Sequence, residues 1–163
     1  MIGKAICGAS LEIRSAKWAG LASGLELPGT IIAYALTLGA PVDDRIASVQ
    51  SESLAAAYTL DATASEAVEL IADCLEGDIW AAFDPGGYER TARFSPGYCD
   101  WPLEAQEPVF EFLHPEQIGI RLTSSYGMLP AKSITAVFLA AKAFPLTRPC
   151  RQCDERDCRY RRV

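Results

Sequence analysis

The sequence has a single histidine, and none of its apolar runs approaches the length of a membrane span. His114 lies between Leu113 and Pro115 at a predicted helix end, which argues against a Ser-His-Asp or Cys-His catalytic set. The stretch Ile31–Leu38 is only strand length, whereas crossing a bilayer takes roughly 20 apolar residues. We therefore expect neither a histidine-based hydrolase nor a membrane protein.

The N-terminus lacks a basic region followed by a long apolar block, which is the pattern of a secretory signal. The cytoplasm is therefore the expected location. Because that compartment is reducing, we expect the six cysteines to be thiols rather than disulfides.

Positive charge is sparse outside the C-terminus. The chain of 163 residues has 15 basic and 21 acidic groups. Residues 148–163 hold six arginines and three acids, which leaves nine basic (15 − 6) and eighteen acidic (21 − 3) groups in residues 1–147. An acidic body repels phosphate backbones, and arginines mixed with acids and cysteines form a poor electrostatic footprint for nucleic acid. Nucleic acid is not an expected partner.

The apolar content is sufficient for one core. Half of the residues are hydrophobic, so we predict one domain over residues 1–147 and a cysteine- and arginine-rich tail over 148–163. The periodicities predict, in chain order, a strand at 30–38, a helix from near Val42, a long buried central helix over 51–80, a helix at 104–113, a strand at 118–122 and a strand at 133–143. Strands separated by tight turns as well as helices indicate an α+β fold with a largely antiparallel, twisted sheet, a long central helix and a few shorter helices.

Asp61 interrupts the apolar face predicted for the long helix. A buried carboxylate needs a partner, and Arg93 is one candidate.

A turn after Arg93 has the composition of a ligand-contacting loop. Ser95, Pro96 and Gly97 follow a short apolar approach, and glycine allows close backbone contact that a Cβ would block. The planar fork of an arginine suits a carboxylate, so Arg93 is a candidate to hold the carboxylate of a small amino-acid-like ligand. On these features alone, a structural turn beside a surface arginine is the alternative.

Two stretches resemble those of a known family. Arg93, Gly97 and Tyr98 stand in an Arg-x-x-x-Gly-Tyr pattern, and the stretch 118–130, IGIRLTSSYGMLP, follows in the same order and setting. Both are similar to signature stretches in the activation domain of cobalamin-dependent methionine synthase. The resemblance covers roughly residues 30–143.

The resemblance implies an S-adenosylmethionine site. In it, Arg93 would contact the methionine carboxylate, the backbone around Gly97 the nucleoside, and Tyr98 would face a corrinoid. Ser95, Pro96 and Tyr126 complete the candidate cofactor-binding set, although Tyr126 also suits a half-buried core position. The helical portion that precedes the family's site, and supplies it with an acidic contact, has no clear counterpart in residues 1–29.

The tail holds three thiols in nine residues. Cys150, Cys153 and Cys158 have the spacing Cys-x2-Cys-x4-Cys, which places them close enough for one metal or cluster, with one ligand missing. Both Zn²⁺ and a [4Fe–4S] cluster prefer thiolate ligands. A structural zinc clip and a reduced tail that binds nothing are the alternatives.

Three functions follow as hypotheses. The first is an S-adenosylmethionine-binding accessory module that helps to restore an inactive cobalamin-dependent methyltransferase of methionine biosynthesis, with the cobalamin presented by the partner. No general acid or base is expected in it, because donor and cofactor carry the chemistry. The second is a non-catalytic module that docks on a corrinoid protein. The third is a small iron–sulfur or zinc electron-transfer partner.

Overall fold

The computed structural model describes residues 4–7, 11, 13–16, 18, 26–83, 86–142 and 157. Its regular elements, in chain order, are β1 (Lys4–Cys7), β2 (Glu26–Thr37), α1 (Ala40–Gln50), α2 (Leu54–Phe83), β3 (Glu89–Arg90), α3 (Gln106–Leu113), β4 (Arg121–Leu122), β5 (Met128–Leu129) and β6 (Ser133–Lys142). Short 3-10 turns cover Leu103–Ala105 and Pro115–Ile118.

One antiparallel sheet organises the described residues. Its strand order is β1-β2-β6-β3, and a separate hairpin pairs β4 with β5. The central pair runs in register from Thr30 opposite Ala140 to Thr37 opposite Ser133. Both central strands are nearly continuous apolar runs, as expected where a sheet is covered on both faces. The predicted α+β fold with a largely antiparallel sheet is confirmed.

The long helix covers one face of the sheet. Tyr34 of β2 and Phe138 of β6 are fully buried there, in one cluster with Val68 and Ala72 of α2. The helix runs through Gly77 without a break and ends at Phe83, close to the predicted end.

The expectation that this helix is buried along its length is wrong for two large side chains near its N-terminus, although Ala57 and Ala64 are buried. Leu54 and Tyr58 are 72% and 78% exposed, although they share the apolar stripe of Val68 and Ala72. The reason is the length of the helix, because the sheet cluster involves α2 only from Val68 onward. Ahead of that point α2 lies beside α1.

The other face of the sheet is covered by α3 and by residues near the N-terminus. Val109 and Leu113 of α3 are fully buried there with Ile120. Leu11 and Trp18 belong to the same cluster.

A stack of three aromatic rings extends this cluster. Trp18 stacks on Phe94 with 5.7 Å between ring centroids, and Phe94 stacks on Trp101 at 5.3 Å and nearly parallel. These rings fasten the loop after β3 to the sheet, since stacked rings add to the free energy of apolar burial.

The predicted strand over 118–122 is wrong in its first half. Residues Pro115–Ile118 form a 3-10 turn, and only Arg121–Leu122 is extended. Gly119 has a φ of 83°, which reverses the chain between Ile118 and Ile120. Both isoleucines still reach the same apolar cluster, so an alternating pattern arises here from a turn.

Candidate functional site

The loop over residues 93–101 is joined to the sheet near its start, where Phe94 bridges Val137 of β6. The chain then closes a compact turn, in which the Tyr98 N–H donates to the Ser95 carbonyl at 3.1 Å and the Gly97 N–H donates to the Trp101 carbonyl at 2.8 Å. The stacked rings of Phe94 and Trp101 hold the two ends of the turn together.

The tip of this turn points to solvent. Gly97 has a φ of 89°, a conformation that favours glycine, and a Cβ placed on it would lie 3.2 Å from the Leu103 side chain. Tyr98 is 49% exposed, Cys99 is exposed with a φ of 53°, and Pro96 is buried beneath them. The predicted ligand-contacting residues therefore form an accessible loop on a buried base.

Arg93, at the start of the loop, is engaged by three carboxylates of α2. Its Nη1 donates to Asp73 Oδ1 at 2.5 Å and to Glu76 Oε1 at 2.9 Å, and its Nη2 donates to Glu69 Oε2 at 2.5 Å. The Arg93 side chain itself is only 13% exposed. Such charge-assisted hydrogen bonds fix a guanidinium firmly.

Glu76 also accepts a hydrogen bond from a buried phenol. The Tyr34 hydroxyl donates to Glu76 Oε1 at 2.6 Å. Burial raises the pKa of Tyr34 well above its usual range, and the negative charge of Glu76 raises it further. Burial alone would lower the pKa of Arg93, but its hydrogen bonds to Glu76 and Asp73 outweigh that effect and raise the pKa. Arg93 is thus a permanent cation.

The role of these three acids was not predicted from the sequence. Glu69, Asp73 and Glu76 are spaced i, i+4 and i+7 on one helix, so they share a face. That spacing was a readable signal. Their partner, Arg93, lies 17 to 24 residues further along the chain. This pairing depends on the tertiary fold.

Asp61 does not pair with Arg93. More than half of its side chain is exposed, and its Oδ1 lies 2.6 Å from the Nζ of Lys132. Lys132 also donates to the Ser65 hydroxyl at 3.0 Å. Asp61, the polar residue that interrupts the apolar stripe of α2, therefore pairs with Lys132, which directly precedes β6.

Arg93 retains hydrogen-bonding capacity for an anionic group. A guanidinium has five N–H donors, and its contacts among the described residues use both donors of Nη1 and one of Nη2. Neighbouring donors of a guanidinium form a planar fork that suits a carboxylate. Among the described residues, the surroundings of Arg93 hold three acids, so its charge is more than balanced there.

Tyr126 lies in the hairpin that joins β4 to β5. It has a φ of 61°, and its N–H donates to the Thr123 carbonyl at 3.0 Å. The Thr123 hydroxyl in turn accepts the Gly127 N–H at 3.0 Å. Tyr126 is half-buried, and these bonds shape the Thr-x-Ser turn of the second stretch rather than link it to Arg93.

The predicted metal ligands Cys150, Cys153 and Cys158 lie outside the described residues. Within the part of the chain that is described, no three His, Cys, Asp or Glu side chains are grouped as a metal site. Cys74 is an exposed thiol on α2. Over the same described ranges, no helix combines the length and apolarity needed to cross a bilayer.

Fold and site together define an α+β domain in which a long helix anchors an arginine beside an exposed Gly-Tyr turn. Residues 87–146 match the family model of the vitamin B12 dependent methionine synthase, activation domain. The match includes both stretches on which the resemblance depends, and it confirms that recognition. It begins after α2, so the wider resemblance over 30–86 stays a prediction. No curated protein matches the chain.

Proposed function

We propose that this domain acts in the reactivation of a cobalamin-dependent methionine synthase. The proposal is supported by the family match over residues 87–146. In such a reactivation, an inactive cob(II)alamin accepts one electron from an external donor and a methyl group from S-adenosylmethionine. The products are methylcobalamin and S-adenosylhomocysteine. The cobalamin would be carried by the partner enzyme.

The finer proposal is that the loop over 93–101 binds S-adenosylmethionine. In this assignment the guanidinium of Arg93 holds the ligand carboxylate, while Ser95, Pro96 and Gly97 border the nucleoside. Tyr98 faces the corrinoid of the partner, and Tyr126 borders the same site from the second stretch. Chemistry resides in the methyl donor and the corrinoid, so the protein contributes binding and orientation.

The fixed position of Arg93 is the observation that carries the finer proposal. Its guanidinium is held in one place by three carboxylates, and a guanidinium has five N–H donors. A preorganised arginine loses little entropy when it binds a carboxylate. The neighbouring acids also suit the ammonium and sulfonium charges of the same ligand, because opposite charges attract strongly in a partly buried site.

A reactivation assay tests the proposed function. Inactive cob(II)alamin methionine synthase without its own activation domain would be mixed with this protein, S-adenosylmethionine and a one-electron reductant, and methylcobalamin would be followed by its absorbance. We expect methylcobalamin only when the protein and the methyl donor are both present. Equal formation without the protein would contradict the proposal.

A docking role without nucleotide binding is the second candidate, and the exposure of Tyr98 favours it. Tyr98 is half exposed, and Leu103, which is also exposed, lies beside the neighbouring Gly97. Exposed aromatic and aliphatic groups often anchor protein partners. Capture of a corrinoid protein by the wild type but not by Tyr98→Ala, with no heat of binding for S-adenosylmethionine, would identify this role.

A further inference from the structure

Glu76 joins three parts of the fold at one carboxylate. It lies on α2, and its Oε1 accepts the Tyr34 hydroxyl of β2 at 2.6 Å and Nη1 of Arg93 at 2.9 Å. Its backbone carbonyl accepts Nη1 of Arg90 at 2.9 Å, and its Oε2 lies 3.7 Å from the same nitrogen. Helix α2, the sheet and the start of the loop over residues 93–101 therefore meet at Glu76.

The other two acids on Arg93 are more exposed. The side chains of Glu69 and Asp73 are 31% and 54% exposed, whereas that of Glu76 is 10% exposed. Water screens an exposed ion pair and allows its partners to move. A buried carboxylate with several hydrogen bonds holds its partners in one geometry. Of the three acids, Glu76 is the one placed to fix the direction of the guanidinium.

Tyr34 in turn fixes Glu76. It is fully buried in a central strand of the sheet, where a tyrosine has only two side-chain torsions to restrict. Its neutral phenol donates to the carboxylate and keeps it oriented toward Arg93. A functional group held by a locked second residue is positioned more precisely than one held by a loop alone.

We infer that Glu76, locked by Tyr34, is a positioning residue that fixes the direction in which Arg93 meets the carboxylate of the ligand. The inference rests on the proposed function, since it assigns Arg93 to that carboxylate. Glu76 acts through Arg93 and does not itself contact the ligand carboxylate. The substrate class that depends on it is therefore one with an amino-acid end.

The experiment compares two ligands that differ only in this carboxylate. S-adenosylmethionine and its decarboxylated analogue would be titrated calorimetrically into the wild type, Glu76→Gln and Tyr34→Phe. We expect both variants to bind S-adenosylmethionine roughly tenfold more weakly, and the analogue within about twofold of the wild type, because a misaimed arginine affects only the carboxylate contact. Equal losses for the two ligands would overturn the inference.

Matched controls separate this role from general stability. Glu66→Gln, at an exposed position of the same helix, is the control for Glu76→Gln. Tyr58→Phe, at an exposed tyrosine, is the control for Tyr34→Phe. Both controls should bind both ligands like the wild type. If Glu76→Gln does not fold, Tyr34→Phe still tests the inference, since it removes one hydroxyl without creating a cavity.

A ligand-free measurement distinguishes failure of the inference from failure of the proposed function. The side-chain nitrogen signals of Arg93, assigned by their loss in Arg93→Lys, report rotation of the guanidinium. We expect slow rotation in the wild type and faster rotation in Glu76→Gln and Tyr34→Phe. Unchanged rotation would overturn the positioning role even if S-adenosylmethionine binds. Absence of binding to the wild type, with faster rotation in the variants, would overturn only the assigned ligand.

Discussion

Ser15 and Asp100, 85 positions apart, are joined by a hydrogen bond of 2.6 Å from the Ser15 hydroxyl to Asp100 Oδ1. The second carboxylate oxygen accepts the Ala16 N–H at 2.7 Å, and the Ser15 hydroxyl accepts the Trp18 N–H at 3.0 Å. Ser15 and Asp100 thus bind the N–H groups of Ala16 and Trp18 and tie this part of the chain to the end of the loop over residues 93–101. Trp18 then stacks on Phe94 at the other end of that loop.

Replacing Asp100 by Ala should destabilise the domain. We expect a loss of about 1–2 kcal/mol in the free energy of unfolding, because the Ala16 N–H and the Ser15 hydroxyl lose their acceptor. Urea denaturation measures this loss. Glu104→Ala, at an exposed acid in the 3-10 turn that follows, should cost less than about 0.5 kcal/mol. Equal midpoints for the two variants would contradict a clamp by Asp100.

The pairing of Lys132 with Asp61 predicts a salt-dependent coupling. Lys132 is nearly buried, but more than half of the Asp61 side chain is exposed, so we expect Asp61→Asn to cost only about 0.5–1 kcal/mol at low salt. In a Lys132→Met background, Asp61→Asn should be almost neutral, because the lysine charge that Asp61 balances is no longer present. A double-mutant cycle in urea measures the coupling, and a coupling that does not shrink in 1 M salt, where the screening length is about 3 Å, would contradict it.

Tyr34 predicts a loss of stability at alkaline pH. Burial, and then the charge of Glu76, raise its pKa in the folded protein, whereas the unfolded chain ionises this phenol near about pH 10. Below that pH the group is neutral in both states and its contribution is constant. Above it, only the unfolded chain releases the proton, so the free energy of unfolding should fall by about 1.4 kcal/mol per pH unit from this group.

The Tyr34 contribution is isolated by comparison between variants. Tyr34→Phe should be less stable than the wild type at pH 8, because the buried Glu76 loses a donor, but its stability should fall less steeply between about pH 10 and pH 12. Tyr58→Phe, at an exposed site, should keep the slope of the wild type. Identical slopes for Tyr34→Phe and the wild type would show that the phenol ionises normally in the fold.

Tyr98 predicts a separation of function from stability. Because the side chain is half exposed, Tyr98→Ala should change the free energy of unfolding by less than about 0.5 kcal/mol. The same variant should lose capture of a corrinoid protein and formation of methylcobalamin in the reactivation assay. Glu107→Ala, at an exposed position of α3, is the control. Full reactivation by Tyr98→Ala would remove this tyrosine from the proposed interface.

The cysteine tail has a direct test of its own. Its expected zinc or iron–sulfur site stays a prediction, since Cys150, Cys153 and Cys158 lie outside the described residues. Iron, zinc and acid-labile sulfide would be measured in anaerobically purified protein and in a variant with the three cysteines changed to serine. Bound metal that is lost in the variant would support a tail site, and wild-type protein without metal would exclude an electron-transfer role for the tail.

Local patterns in the sequence predicted much of the fold. The strand at 30–38, the helix ending at Leu113 and the strand from Ser133 all depend on periodicity and on strong stop signals, and each is present. The predictions were wrong where the same local sequence pattern can arise from two different structures. Alternation at 118–122 came from a glycine turn, and the apolar stripe of α2 extended beyond the sheet that covers it.

The candidate site was predictable only in part. Arg93, Gly97 and Tyr98 are adjacent in sequence and stand out by composition and by family resemblance. The acids that hold Arg93 lie on a different element, and Tyr34 reaches Glu76 across 42 positions of the chain. Such pairings depend on strand order and on how a helix is rotated over the sheet, which a single sequence does not specify.

Calorimetric titration of the protein with S-adenosylmethionine tests the central claim most directly. The account predicts saturable binding to the wild type and to Arg45→Ala, which removes an exposed arginine on α1, and loss of binding in Arg93→Ala and Arg93→Lys. The lysine variant keeps the charge that the three acids require, so it separates the ligand contact from folding. Binding by Arg93→Lys that equals the wild type, or no binding by the wild type, would contradict the claim.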